Sequence, residues 1–373
     1  MAAQFLTTED RFELGSRTLA GRYYTTPEVF AREQERIFNS SWICVGRADQ
    51  IPNPGDYFLR QVGQESLILV RAQPGELNAF YNLCRHRGTR LYTQESGKFP
   101  ATIQCSYHAW TYNLRGELTG APLMDEVADF NKADYPLHKA GLAEWEGFIF
   151  INLTPGSPPF EQTFVPLIGK FNRWNLSALR PLRRIEYDVQ ANWKLVVQNY
   201  SECYHCPLIH PELAKRSPYR SGQNDLLEGP FLGGYMHLNH EFGSLTMSGR
   251  LCSLPISGLP ESETERVYYY TLFPNMLLSL HPDYVMCHTL WPVSPSETKI
   301  ICEWLFDPEV SQVPGFDPDE AVRFWDMTNR QDWQVCELSQ LGVASKMYTP
   351  SPYGTAESLL AAFDCYYLSS IER

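Results

Sequence analysis

The chain is short of positive charge: 31 Lys and Arg stand against 43 Asp and Glu, a formal net charge of -12. An excess of that sign repels phosphate backbones and anionic lipid, so neither nucleic acid nor a membrane surface is expected as a partner. No apolar run approaches the roughly 20 residues that cross a bilayer. The opening Met-Ala-Ala-Gln-Phe-Leu-Thr-Thr-Glu-Asp has neither a charged n-region nor an apolar stretch, so no signal peptide is expected. Internal repeats, low-complexity tracts and long charge blocks are missing too, which removes solenoids and disordered tails from consideration. There is no Gly-rich dinucleotide fingerprint after a strand, and hence no built-in nicotinamide or flavin module of that type. Ten Cys without a secretory signal suit a reducing, cytoplasmic setting. What remains is ordinary globular material, 373 residues with 43% hydrophobic and 20% charged, enough for two domains.

Against that background one pattern stands out. Cys84-Arg85-His86-Arg87-Gly88 and Cys105-Ser106-Tyr107-His108-Ala109-Trp110 spell C-x-H, 18 residues, C-x2-H. Each segment offers one thiol and one imidazole. A Rieske [2Fe-2S] cluster needs that arrangement, with one iron on two Cys and the other on two His. Structural zinc also uses two Cys and two His, but its usual order places both Cys before both His, with the His pair on a helix. Here the two residue types alternate, and the flanks Phe80–Leu83 and Thr102–Gln104 read as short strands entering loops.

Through these loops the chain resembles the Rieske proteins. Respiratory members carry an extra Cys in each cluster loop. The matching positions here are Thr89 and Tyr107, so the loops are similar to those of the Rieske non-haem iron oxygenases, with Tyr107 expected to hydrogen-bond a ligand sulfur. The resemblance implies a second metal site downstream. Residues 198–211, Gln-Asn-Tyr-Ser-Glu-Cys-Tyr-His-Cys-Pro-Leu-Ile-His-Pro, supply a matching motif: Asn199, Tyr200, Glu202, Tyr204, His205 and His210. Two His and one carboxylate with open positions form the facial triad of iron(II) enzymes that use oxygen. On an unbroken helix His205 and His210 would diverge by roughly 140°. They can share an ion only if the helix is interrupted, and Pro207 removes a backbone donor between them. Cys203 and Cys206 form a CxxC, but without a thioredoxin-like βαβ around it the pair reads as incidental.

The third ligand is sought on a helix that Asp317-Pro318-Asp319-Glu320 opens well. Asp326 shares a face with Arg323 and Arg330, an ordinary solvated ion-pair stripe. Asp332 lies instead on the stripe of Trp325, Val335 and Cys336, where a carboxylate is costly unless a cation compensates it. Asp332 is therefore the expected ligand, and the family's Q-D-W-like stretch, here Gln331-Asp332-Trp333, points the same way. A buried acid serving some other backbone group is the alternative.

The strand-like runs, Gly/Pro turns and helical stretches fall into an α+β organisation. Residues 1–37 read as a helical lead-in packing on the catalytic domain, with Thr26-Pro27-Glu28 opening a helix to Ile37. Residues 38–155 read as an all-β Rieske domain, and residues 156–373 as the mononuclear iron catalytic domain. In the last, strands are expected at Arg184–Val189, Val267–Leu272, Met276–Leu280, Tyr284–Leu290 and Lys299–Phe306. Helices are expected at Phe160–Trp174, Trp193–Tyr204 and Ala321–Leu341. The resemblance implies a helix-grip fold for this part, a curved antiparallel sheet around a long helix.

It further implies an oxygenase component, with one [2Fe-2S] cluster and one mononuclear Fe(II) per subunit. A separate NAD(P)H-dependent reductase of the flavin or ferredoxin type would feed electrons, and O2 would attack a small organic substrate. Subunits would form a head-to-tail homotrimer, with Glu202 bridging His108 of one subunit to His205 of the next. Glu202, where the family often has Asp, resembles the choline, carnitine and betaine monooxygenase branch. An aromatic-ring-hydroxylating dioxygenase is the alternative, and an iron–sulfur electron carrier without oxygenase activity is the alternative of another class.

Overall fold

The computed structural model describes residues 4–7, 15–252 and 254–372. The chain forms two compact units: Phe38–Thr163, and Met1–Ile37 together with Phe164–Arg373.

The first unit is built from three small antiparallel sheets. One has the order Glu76–Tyr81, Glu65–Gln73, Asp56–Val62, Ser96–Lys98. The second joins Gly141–Trp145, Phe148–Asn152 and Ile43–Arg47, and the third joins Thr102–Gln104, Thr111–Asn113 and Leu118–Gly120. Residues 66–72 are buried without alternation, as a strand covered on both faces must be. Ile68, Phe80, Ile103, Trp110 and Tyr112 share one core with Cys84 and Cys105, so both thiols sit at its edge rather than on free loops. The unit runs past the expected limit at residue 155 because Phe160 packs edge-on against Trp42 and beside Phe150.

The second unit is an eight-stranded antiparallel sheet. Its order is Leu6–Thr7, Gln223–Glu228, Phe231–His237, Arg266–Leu272, Met276–Leu280, Val285–Ser294, Glu297–Phe306, Arg180–Val189. Five helices carry or brace the candidate metal-site residues of this unit: α1 (Pro27–Glu33), α2 (Trp193–Tyr200), α3 (Cys206–Ile209), α4 (Asp319–Val343) and α5 (Ser358–Glu372). The 25-residue α4 turns Phe324, Trp325, Thr328, Trp333 and Cys336 inward, the apolar stripe its sequence shows. It begins at Asp319 with Pro318 in the cap position, one residue later than the sequence suggests, and the Asp317 carboxylate accepts from the Asp319 N–H at 3.0 Å.

Two helices are shorter than their sequence suggests. Of Phe160–Trp174 only Phe160–Thr163 is α-helical. Pro166 and the left-handed Gly169 (φ 74°) interrupt the rest, which resumes as a 3-10 turn at Asn172–Trp174. The helix from Trp193 stops at Tyr200, because the Glu202 side chain takes over the backbone N–H groups beyond it.

Glu33 and Lys194 are both fully buried, paired at 2.5 Å. Trp193 Nε1 and Tyr367 Oη also donate to Glu33, at 3.0 and 2.6 Å, so the carboxylate is well satisfied, which a buried ion pair requires. The cluster ties α1, α2 and α5 together. Beside it Asp364 accepts from Gln198 Nε2 and Tyr353 Oη, both at 2.7 Å, and burial pushes its carboxyl up to about 7.

Below the ordinary carboxyl range near 4, Asp364 is neutral folded and unfolded alike, and its full contribution is present. As pH rises toward 7 the unfolded carboxyl ionises freely while the folded one resists, so stability is lost, on the order of a few kcal/mol in all. The melting temperature of the wild type is expected to fall between about pH 4 and 7. Asp364→Asn should flatten that slope, and a parallel slope in the variant would remove Asp364 as its source.

Candidate metal centres and the adjoining cavity

The two Cys–His loops have matching backbones. In each, the residue four after the Cys, Gly88 or Ala109, has a positive φ (71° and 56°) and donates its N–H to the Cys carbonyl at 3.0 Å. Each Cys N–H is also bonded, Cys84 to Thr89 O and Cys105 to Trp110 O, both at 2.8 Å. These tight turns bury the thiols of Cys84 and Cys105, each 2% exposed, and leave His86 exposed and His108 half-buried at the rim. The imidazole rings lie 4.7 Å apart, and Trp110 stacks flat on His86 at 4.8 Å.

The donors thus separate into a buried sulfur pair and a rim imidazole pair, which suits a two-iron cluster with chemically distinct irons. One zinc ion would need all four donors around a single point. Among the described residues, the group of three or more donors lying within 4.8 Å of one another is found elsewhere, at His205, His210 and Asp332.

Tyr107 does not reach a sulfur. It is 56% exposed, tilted over His108 at 3.8 Å, with its hydroxyl accepting from Arg87 at 3.4 Å. The hydroxyl near Cys84 Sγ is that of Tyr112, at 3.4 Å. Tyr112 Oη accepts from the Arg85 N–H at 3.0 Å, leaving its own proton for the sulfur. Hydrogen bonds to ligand sulfurs stabilise the reduced cluster and raise its potential. Tyr112→Phe is therefore expected to lower the cluster potential by roughly tens of millivolts in a redox titration; an unchanged potential would count against the contact.

In the second unit His205 immediately precedes α3 and His210 immediately follows it, with Pro207 inside this single turn. The break puts both Nε2 atoms on Asp332 Oδ1, at 3.3 Å for His205 and 2.7 Å for His210. Their Nδ1 atoms face acceptors: Glu202 Oε1 at 2.6 Å and Gln331 Oε1 at 2.7 Å. An acceptor at Nδ1 fixes the proton there and aims the Nε2 lone pair at the shared point, as partners of metal-bound imidazoles do. Glu202 also accepts from the backbone N–H of Tyr204 and His205, so one carboxylate holds both ring and loop.

Burial alone would lower the His205 pKa, but hydrogen bonds donated to Asp332 and Glu202 lift it to about 10. Burial likewise opposes ionisation of Asp332, yet the two imidazoles hold it below the usual carboxylate range. The bare site thus keeps a proton where a cation would sit, and ion binding displaces it. Asp326 points away, pairing with Arg330 at 3.0 Å and accepting from Tyr187 Oη at 2.8 Å.

A cavity of about 130 Å³ opens beside this group. From α4, Trp325, Thr328 and Asp332, spaced three and seven residues along one face, line it, and Tyr200, Tyr235 and Tyr269 add further aromatic wall. Gly233 and Gly234 form part of the lining as bare backbone. A Cβ on either would meet a neighbouring strand's carbonyl oxygen, Tyr269 O at 2.0 Å or Gln223 O at 1.9 Å. The strand holding them, Phe231–His237, and its neighbour Gln223–Glu228 are absent from the sequence-based expectation, because Gly-Gly pairs read as turns rather than strand.

Cys203 and Cys206 form a disulfide, so they are not the incidental thiols that their spacing suggested. Both line the cavity, on either side of His205. Of the eight free Cys, seven are buried and Cys365 is exposed.

Comparison with known proteins agrees with this layout. Residues 41–131 match the Rieske [2Fe-2S] domain, and residues 176–373, more than half the chain, match the ring hydroxylating alpha subunit (catalytic domain). The chain belongs to the Rieske oxygenases. It is 31% identical to the glycine betaine monooxygenase oxygenase subunit of Chromohalobacter salexigens, over 91% of this chain and 82% of that one. It is 39% identical to the carnitine monooxygenase oxygenase subunit of Escherichia coli K12, over 89% and 85%. The solved structure of the quaternary ammonium Rieske monooxygenase CntA in complex with substrate L-carnitine superposes with a TM-score of 0.75 at 26% identity, covering 96% of both chains.

This Rieske oxygenase carries a [2Fe-2S] cluster and mononuclear iron, takes electrons from a reductase, and acts with O2 on a small molecule. An electron carrier lacking an oxygenase site is not favoured, since the catalytic domain is matched throughout. No helix among the described residues is long and apolar enough to cross a membrane.

Proposed function

We propose that the substrate is a quaternary amine, hydroxylated or demethylated next to its nitrogen. The observation that carries this reading is the cavity wall: Tyr200, Tyr235, Tyr269 and Trp325 line it together with the carboxylates Glu202 and Asp332. A trimethylammonium group has no N–H to donate and is held by aromatic faces and by negative charge. The two similar relatives act, by their names, on glycine betaine and carnitine.

In this proposal Cys84 and Cys105 hold one iron of the cluster, and His86 and His108 hold the other. His205, His210 and Asp332 hold the mononuclear iron, which supplies oxygen activation when bound. Glu202 and Gln331 keep Nδ1 of the two imidazoles protonated and their Nε2 atoms directed inward. The aromatic wall orients the substrate C–H toward the ion and keeps bulk water away. A separate NAD(P)H-dependent reductase of the flavin or ferredoxin type feeds the cluster at its rim, where His86 is exposed. A head-to-tail homotrimer brings one subunit's cluster to the neighbour's iron, with Glu202 linking His108 of one subunit to His205 of the next. Rings of this kind close by rotational symmetry, and a cytoplasmic location fits the reductase requirement.

The test is a screen of choline, glycine betaine and carnitine against aromatic acids, using a surrogate reductase and following O2 uptake coupled to product. Coupled turnover is expected with a trimethylammonium compound. Coupled turnover confined to aromatic acids would replace this reading with ring hydroxylation.

A further inference from the structure

The Cys203–Cys206 bridge lies against the very nitrogen that the metal site uses. Cys206 Sγ is 3.9 Å from His205 Nε2, and Nε2 is also the atom that faces Asp332 Oδ1 at 3.3 Å. Two donors bound to one ion, nitrogen at about 2.1 Å and sulfur at about 2.3 Å, sit roughly 3.6 Å apart at a tetrahedral angle. The sulfur therefore stands near the spacing of a fellow ligand from one of the three donors; the donor atoms within 4.8 Å of one another are those of His205, His210 and Asp332, so Cys206 Sγ joins them only by turning toward the group. What withholds it is its bond to Cys203. A disulfide sulfur carries no negative charge and is a poor ligand, whereas a thiolate is a strong, soft one.

We propose that Cys203 and Cys206 form a redox-controlled fourth-ligand site. With the bridge closed, the donor set is two imidazoles and a carboxylate, with positions left open for O2 and substrate. With the bridge reduced, Cys206 adds its thiolate, and the set becomes the closed four-coordinate kind that favours zinc and leaves no open position. This rests on the reading of His205, His210 and Asp332 as a metal site, and adds its control.

The chemistry balances at each step. A dithiol reductant transfers two electrons and two protons to the bridge, giving two thiols and its own disulfide. On ligation the Cys206 S–H bond breaks, the S–metal bond forms and the proton leaves to solvent. Hydrogen peroxide restores the bridge, two thiols and one peroxide giving the disulfide and two waters. In a reducing cytoplasm the pair rests as the dithiol and the site is closed, and an oxidant derived from O2 opens it by forming the bridge.

The surroundings favour a contained change. The residues between the two Cys lie outside regular helix, and the Cys206 N–H to Cys203 O bond at 3.2 Å holds the loop whether or not the sulfurs are joined. Glu202 continues to accept from the His205 N–H and Nδ1, so the imidazole need not move for the sulfur to turn about its own Cα–Cβ bond.

The test uses the full chain with its cluster in place, the mononuclear iron chelated out and zinc supplied instead. X-ray absorption at the zinc edge reads that ion alone, blind to the cluster irons. Protein oxidised with peroxide should show nitrogen and oxygen neighbours only. Protein reduced with a phosphine (which takes oxygen from water as the bridge opens) and then desalted should show one sulfur near 2.3 Å, the usual zinc–thiolate distance of about that length. Cys203→Ser, which leaves Cys206 unbridged, should show that sulfur without any reductant, and Cys206→Ser should never show it.

A nitrogen and oxygen shell in the reduced wild type would overturn the proposal, as would a sulfur that persists in Cys206→Ser. So would Cys203 and Cys206 both remaining alkylatable after peroxide treatment. Failure of the iron-depleted protein to take up zinc in either state would overturn the triad reading itself, a result distinct from the others.

Discussion

Asp332→Ala is expected to lower the iron content from about three atoms per chain to about two and to abolish product formation, by roughly 10³-fold or more. His205 and His210 both direct Nε2 at Asp332 Oδ1, so removing the carboxylate leaves the two imidazoles without the anionic donor they share. The Cys–His loops belong to the other compact unit, and the electron paramagnetic signal of the reduced cluster should persist unchanged. Asp326→Ala serves as the matched control. Its carboxylate is engaged with Arg330 and Tyr187 on another face of the same helix, and its loss should leave iron content alone. Full iron in Asp332→Ala would remove this aspartate from the site.

Glu202→Gln is expected to keep both metals while losing most coupled turnover, by roughly 10²-fold. The substitution retains size and one acceptor oxygen, so the loop can still be held through the backbone N–H groups of Tyr204 and His205. What disappears is the charged partner of His205 Nδ1, now at 2.6 Å, and with it the anionic link proposed to join the two imidazoles across subunits. The discriminating readout is reoxidation of the pre-reduced cluster with O2 and substrate in a single turnover. That step should slow, while reduction of the cluster by the reductase stays normal. Product formation at the wild-type rate would end the bridging role, and loss of iron would instead make Glu202 a purely structural support.

Much of this arrangement is legible in the chain because metal donors are chemically unusual and their spacing is constrained. The alternation of Cys and His in two loops needs no structure to be noticed. Choosing between Asp326 and Asp332 needs only helical periodicity: one falls among arginines, the other among Trp325, Val335 and Cys336. Pro207 flags the helix break that lets residues five apart converge.

Other features depend on tertiary geometry that periodicity does not encode. Tyr112 rather than Tyr107 reaches the ligand sulfur because its strand runs through the core beside Cys84, while the loop carrying Tyr107 turns outward. Gln331 is visible in the sequence only as a neighbour of Asp332, yet it holds the second imidazole. The end of α2 at Tyr200 is hidden because a glutamate inside an apparently helical run serves the backbone beyond the helix. The bridge between Cys203 and Cys206 escapes the expectation that a redox CxxC needs a thioredoxin-like context. That expectation ignores what such a pair can do on a loop carrying a histidine.

The glycine pair at 233 and 234 has a bearing on how this scaffold can diversify. Because the adjacent strands come within contact of where each Cβ would be, that portion of the floor is immutable peptide. New molecular shapes cannot be accommodated by trading residues there. Selection, natural or in the laboratory, is left with the side chains of the lining, Trp325 and Thr328 on the long helix among them. Shrinking Trp325 is a move that enlarges the chamber without touching the glycine pair, and lineages that handle bulkier compounds should show their changes among such side chains.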